Sequence, residues 1–138
     1  MVALKALVVD DSGVMRKMVM KGLTDSKLAD FEFVEATDGQ DALSKFDPKV
    51  FDIGFVDWNM PNMDGIQTAE KIKAMGLETP PHLLLITAYG REDVLQQADR
   101  FGFEEVLIKP INPSIMFESA SRILGDRDGD DVMTGPAP

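Results

Sequence analysis

The sequence predicts a three-layer α/β domain, a doubly wound parallel sheet of five strands with five helices. Two observations carry that prediction. Four short apolar runs recur along the chain, Ala6-Leu7-Val8-Val9, Ile53-Gly54-Phe55-Val56, Leu83-Leu84-Leu85-Ile86 and Val106-Leu107-Ile108. Runs of this length read as parallel strands buried on both faces. Between them lie segments with helical apolar spacing, so strand and helix alternate along the chain. Crossovers in such sheets are right-handed, and 2-1-3-4-5 is one of the common doubly wound strand orders open to a chain of five βα units.

Each element follows from its residues. Strand one spans 4–9, and Ser12 caps a helix to about Ser26 that carries Met15, Met18, Val19 and Gly22 at i, i+3, i+4, i+7. Residues 31–36 alternate enough for a half-exposed strand two. Asp38-Gly39 opens a short helix with Ala42, Leu43 and Phe46, stopped by Asp47-Pro48. Strand three is 51–57. After a Pro/Asn/Gly-rich loop, Asp64 or Gly65 starts a helix with Ile66, Ala69, Ile72 and Met75, closed by Gly76. Thr79-Pro80-Pro81 forces an extended entry to strand four at 82–87. Helix four, about 91–101, sets Val94, Leu95, Ala98 and Phe101 on one face, and Gly102 ends it. Strand five is 104–109. Asn112-Pro113 supplies a cap and a first-turn proline for helix five, which buries Met116, Ala120, Ile123 and Leu124. Residues 1–124 thus form one domain. Residues 125–138, acidic and rich in Gly and Pro, read as a disordered tail or linker.

The runs end in polar residues: Asp10-Asp11, Asp57, Thr87 and Lys109-Pro110. Ligands bind parallel sheets at the carboxyl ends of the strands, so one placement rule gathers three carboxylates, a hydroxyl and an ammonium. Two like charges about 4 Å apart repel by roughly 4 kcal/mol at an effective dielectric near 20. A cation must therefore sit among Asp10, Asp11 and Asp57. Lys109 supplies one charge and a divalent ion two. The all-oxygen ligand set favours Mg²⁺, with Mn²⁺ the alternative. In such a site the Asp57 carboxylate can attack phosphorus, Lys109 can neutralise phosphoryl oxygens, and Thr87 can hydrogen-bond a phosphoryl oxygen that was absent before reaction.

Composition narrows the function. With 24 acidic against 14 basic residues the formal charge is −10, which repels nucleic acid. No apolar stretch approaches the roughly 20 residues of a membrane span. The chain has no cysteine, which excludes disulfides and thiolate chemistry and suits a reducing cytoplasm.

VVDDS at 8–12, VDWNMPNMDG at 56–65, ITA at 86–88 and IKP at 108–110 together resemble the receiver domain of two-component response regulators, over residues 4–124. The resemblance implies a flavodoxin-like fold in which Asp57 is the phosphoacceptor and Asp10 and Asp11 organise Mg²⁺. It adds the backbone carbonyl of Asn59 as a further metal ligand, Thr87 as the switch hydroxyl and Lys109 as the phosphoryl contact, with a cis bond between Lys109 and Pro110. The implied donor is the phosphohistidine of a histidine kinase or phosphotransfer domain. The implied output is an effector or a second receiver docking on the face built from helix four, strand five and helix five, where Arg91, Glu92, Gln96 and Arg100 are the outward contacts.

Two departures from the family pattern stand out. Val106 occupies the position where many relatives carry an aromatic residue that tracks activation, leaving Tyr89 as the only tyrosine to take that role. Asn59 and Tyr89 match positions that tune loss of the phosphoryl group. Residues 4–65 look most like stand-alone chemotaxis-type receivers, while LLLITAYGREDVLQQA and VLIKPINPSIMF look more like receivers of hybrid sensor kinases, as expected of a recombined or excised chain.

Alternative readings are weaker. A calcium loop over 57–64 fails because Pro61 and Asn62 stand where a ligand and a glycine are needed. Asp126, Asp128 and Asp130 read as a solvated charge run, and His82 as structural. An aspartyl-phosphate phosphatase needs a second acid two residues after the nucleophile, where this chain has Asn59. A degenerate receiver serving as a constitutive interaction module is opposed by the intact Asp10, Asp11, Asp57, Thr87 and Lys109. The expected protein is a signalling domain that takes up and loses its own phosphoryl group, not a turnover enzyme.

Overall fold

Five parallel strands stand in the order β2-β1-β3-β4-β5, the order that the resemblance to receiver domains implies. The structure, a computed structural model, describes residues 3–47, 50–58, 60, 63–78, 80–88 and 92–128. In chain order these form β1 (Ala3–Val9), α1 (Gly13–Ser26), β2 (Asp30–Ala36), α2 (Gly39–Lys45), β3 (Ile53–Asp57), α3 (Gly65–Ala74), β4 (His82–Thr87), α4 (Glu92–Arg100), β5 (Phe103–Ile108) and α5 (Pro113–Asp128). Helix α5 runs past the predicted domain boundary at 124, and residues 129–138 lie outside the described residues.

The interior strands are covered on both faces, and two apolar layers result. Ala6, Val8, Ile53, Phe55, Leu84, Ile86 and Leu107 face α1 and α5, meeting Val19, Leu23, Met116, Ala120 and Ile123. Leu7, Val9, Val56, Leu83, Leu85 and Phe103 face the other way, against Ala42, Ala69, Ile72, Val94 and Ala98. Every residue of β3 is buried, while edge strand β2 alternates, as its sequence predicted.

The starts of four helices follow their predicted caps, Asn112 accepting from the Ile115 amide at the start of α5. Ser12 accepts from the Met15 amide, and Asp38 from the Asp41 amide. Asp64 and Gln67 form a reciprocal capping box, so Asp64 caps α3 and Gly65 is its first residue. Three predicted core positions are corrected: Met18, Met75 and Leu95 are exposed. The stripe on α1 runs through Val19 and Leu23 instead. Met75 follows the last helical turn as the C-cap. On α4 the spacing 94, 98 defines the buried line, and Leu95 stands about 100° away from it.

Candidate functional site

Parallel pairing aligns the carboxyl ends of β1, β3 and β4 and so fixes the site. Val9 pairs with Val56, Asp57 with Ile86, and Thr87 with Ile108. Two backbone bonds carry the ladder past the strand ends, from the Trp58 amide to the Ile86 carbonyl (2.9 Å) and from the Lys109 amide to the Thr87 carbonyl (2.8 Å). Asp10 and Asp57 thereby become buried polar residues at 2% and 3% exposure, and Thr87 is buried at 1%.

Asp10, Asp11 and Asp57 each offer a carboxylate oxygen within 4.8 Å of the others. Lys109 Nζ stands 3.1 Å from Asp57 Oδ1 and 4.0 Å from Asp10 Oδ2. The structure thus brings together the acids and the lysine singled out in the sequence. Thr87 ends the neighbouring strand, and the Lys109-Pro110 peptide is cis. Val106 is half-buried and packs on the apolar layer that contains Val94 and Ala98. Asn59, Tyr89 and Arg91 lie outside the described residues; Gln96 and Arg100 are exposed on α4.

The electrostatics show an unbalanced charge. Burial pushes the Asp10 carboxyl up to about 6, and the Asp57 charge adds to the rise, against the pull of the Ser12 amide. Burial likewise raises Asp57, and the hydrogen bond and charge of Lys109 offset this only in part. Asp10 Oδ2 is buried without a hydrogen-bond partner among the described residues. A buried carboxylate oxygen in that condition is costly unless a cation meets it. The fit to a hard divalent ion is good, because the donors are oxygens from three carboxylates on one open-sided rim, with Asp11 exposed.

Some contributors escaped the sequence reading. Gly65 lies so close to the end of β3 that a Cβ there would come 2.5 Å from the Asp57 carbonyl oxygen and 3.1 Å from Trp58 Cα. Its amide donates to the Trp58 carbonyl at 3.0 Å. Arg16 Nη1 donates to the Asp10 carbonyl at 2.7 Å, and its Nε to Glu35 at 2.8 Å. The only sequence signal for Arg16 is its place one helical turn beyond the Ser12 cap. His82 pairs with Glu104 at the opposite end of β4 from Thr87, in keeping with a structural role.

The sequence pattern of a family described as "Response regulator receiver domain" matches residues 6–121. A "Chemotaxis protein CheY homolog" of Campylobacter jejuni is 33% identical over 132 residues, spanning 92% of this chain and 97% of the relative. The "Chemotaxis protein CheY1" of Helicobacter pylori is 31% identical over 126 residues, 91% of this chain and all of the relative. These alignments run through both halves of the chain. Among solved structures, the Vibrio cholerae chemotaxis protein CheY4 superposes with a TM-score of 0.78 at 30% identity, covering 88% of this chain and 98% of that one. No helix among the described residues is long and apolar enough to cross a membrane.

Proposed function

Because the chain belongs to the response regulator receiver domain family, we propose that it accepts one phosphoryl group on Asp57, in a Mg²⁺-dependent step, and signals through the change that follows. The observation that carries the reading is the pairing of a buried Asp10 Oδ2, which has no hydrogen bond among the described residues, with a lysine 3.1 Å from the Asp57 carboxylate. The first marks where a cation is needed; the second marks where negative charge arrives. Asp10, Asp11 and Asp57, with the Asn59 carbonyl, would hold Mg²⁺; Mn²⁺ has the same ligand preference. When bound, that ion supplies charge neutralisation for phosphoryl oxygens.

The chain's own residues do the rest. An Asp57 carboxylate oxygen attacks the phosphorus of a phosphohistidine on a histidine kinase or phosphotransfer domain. A P–O bond forms, the P–N bond breaks, and the imidazole leaves with the electron pair and takes up a proton. Lys109 neutralises an equatorial oxygen. The Thr87 hydroxyl then hydrogen-bonds the new phosphoryl group and biases its loop. Water reverses the modification at a rate tuned by Asn59 and Tyr89. The output face is formed by α4, β5 and α5, where Leu95, Ile108, Ile115 and Phe117 are exposed apolar side chains available to an effector or a second receiver. With Val106 in place of an aromatic residue, a toggle at that position is excluded, and Tyr89 takes the role. The domain turns over no separate substrate and works in the cytoplasm, and its receiver unit precedes a separate acidic tail.

Intact-mass measurement after mixing with acetyl phosphate and Mg²⁺ tests this reading. The expected result is one added phosphoryl group, lost on chelation of Mg²⁺. No adduct would mark a constitutive interaction module, and sustained turnover of an unrelated phosphoester would mark a hydrolase.

A further inference from the structure

We propose that Arg16 is a positioning residue for the cation site, locking the peptide between Asp10 and Asp11 so that both carboxylates stay turned toward the metal. The inference rests on the Mg²⁺ reading above. A peptide is planar, so the Asp10 carbonyl and the Asp11 amide move as one rigid unit. Whatever holds that carbonyl decides where Asp11 starts and how the Asp10 side chain is presented.

The carbonyl is held by Arg16 Nη1 at 2.7 Å. The Asp10 amide donates to the Ala36 carbonyl at 3.1 Å, and Oδ1 accepts from the Ser12 amide at 2.9 Å. Among the described residues only Oδ2 is left without a hydrogen bond, and it stands 4.0 Å from Lys109 Nζ.

Arg16 is itself anchored. Its Nε donates to Glu35 Oε1 at 2.8 Å, and the Glu35 carbonyl accepts from Lys45 Nζ at 2.8 Å. The side chain is 17% exposed, against 77% for Lys21 on the same helix, which pairs with Asp25 one turn on. Arg16 is a structural cation and Lys21 a solvated one.

A fork is required because the two acceptors belong to different elements, the β1–α1 turn and the end of β2. A guanidinium spans both with fixed spacing, whereas a single ammonium on a flexible stem does not. The load on the turn is electrostatic: three carboxylate oxygens within 4.8 Å repel one another and tend to rotate Asp10 and Asp11 apart. Simple charge compensation makes the opposite prediction, since a cation beside the site weakens Mg²⁺ binding.

Calorimetric Mg²⁺ titration of the full chain separates these accounts, with urea stability followed alongside. Arg16→Lys keeps the charge and loses the fork, so Mg²⁺ should bind about tenfold more weakly, the scale seen when partners of metal ligands are removed. Arg16→Gln should show the same loss. Glu35→Gln keeps the bond to Asp10 and should weaken binding by a smaller factor, and adding it to Arg16→Lys should cause no further loss. If the Arg16 variants fail to fold, the Glu35→Gln arm decides, titrated at high ionic strength so that the through-space effect of the lost, half-exposed Glu35 charge is screened. Wild-type affinity in Arg16→Lys, or in Glu35→Gln when it must decide, would overturn the inference, as would tighter binding in Arg16→Gln. A flat wild-type titration would instead remove the Mg²⁺ reading, and the Arg16 inference with it.

Discussion

On the β1–β3 side of the sheet's carboxyl edge, every β3 residue is buried, and Asp10 has its amide, its carbonyl and one carboxylate oxygen hydrogen-bonded. On the β5 side, Phe103 and Leu107 are buried while Glu104 and Ile108 are exposed. The Glu105–Arg122 pair at 2.9 Å ties β5 to α5 near the surface, where such pairs stabilise little. The contrast separates two tasks. Phosphoryl chemistry needs charges held in fixed positions, and the interior strands hold them. In the function proposed above, a partner needs an accessible edge, and exposed Glu104 and Ile108 make β5 with its flanking helices the more accessible side. Lys109 joins the two sides, since it follows β5 and reaches back to Asp57.

That division can be broken where Lys109 crosses it. Lys109→Met should lower the rate of phosphorylation by acetyl phosphate by about 10²-fold, the scale expected for loss of one positioned charge on the reacting group. The same change should tighten Mg²⁺ binding, because a competing cation leaves. Equal loss of both activities would mean that Lys109 only supports the fold.

A second effect concerns the confined side alone. Metal-free folded protein keeps its Asp10 proton up to about pH 6, whereas the unfolded chain releases it near pH 4. Between those values the unfolded state binds fewer protons, so stability falls as pH rises. The Asp57 shift acts in the same direction. Urea titrations from pH 4 to 7 should show wild type losing stability relative to Asp10→Asn; parallel curves would contradict the burial argument.

Gly65→Ala should destabilise by about 1–3 kcal/mol, because its Cβ meets backbone that cannot turn aside. Urea unfolding measures it, and an unchanged midpoint would show that β3 and α3 are less closely packed. At the open edge the smallest effect is expected. Leu95→Ser on α4 should shift stability by less than about 0.5 kcal/mol, since the side chain is already 45% exposed. A larger loss would place Leu95 in the core.

What the sequence revealed follows the same division. Asp10, Asp57, Thr87 and Lys109 were legible because buried parallel strands leave uninterrupted apolar runs whose ends are plain. Ser12, Asp38 and Asp64 were legible because capping depends on a side chain and its neighbours three residues on. Leu95 and Met75 misled because a short helix near the surface offers several apolar positions and buries only some of them. Arg16 was hidden because its partners are a backbone carbonyl and a glutamate 19 residues away, neither of which leaves a local pattern. Gly65 was legible as a helix start, but its contact with Asp57 exists only once β3 and α3 are packed.

The central claim is that Asp57 carries the phosphoryl group. Sodium borohydride reduces an aspartyl phosphate to homoserine, so protein treated with acetyl phosphate and Mg²⁺, then reduced and digested, can be mapped by mass. Homoserine at position 57, absent without Mg²⁺ and absent from Asp57→Ala, is the predicted result. Homoserine at another acidic position, or none anywhere in a folded and Mg²⁺-saturated sample, would contradict the account.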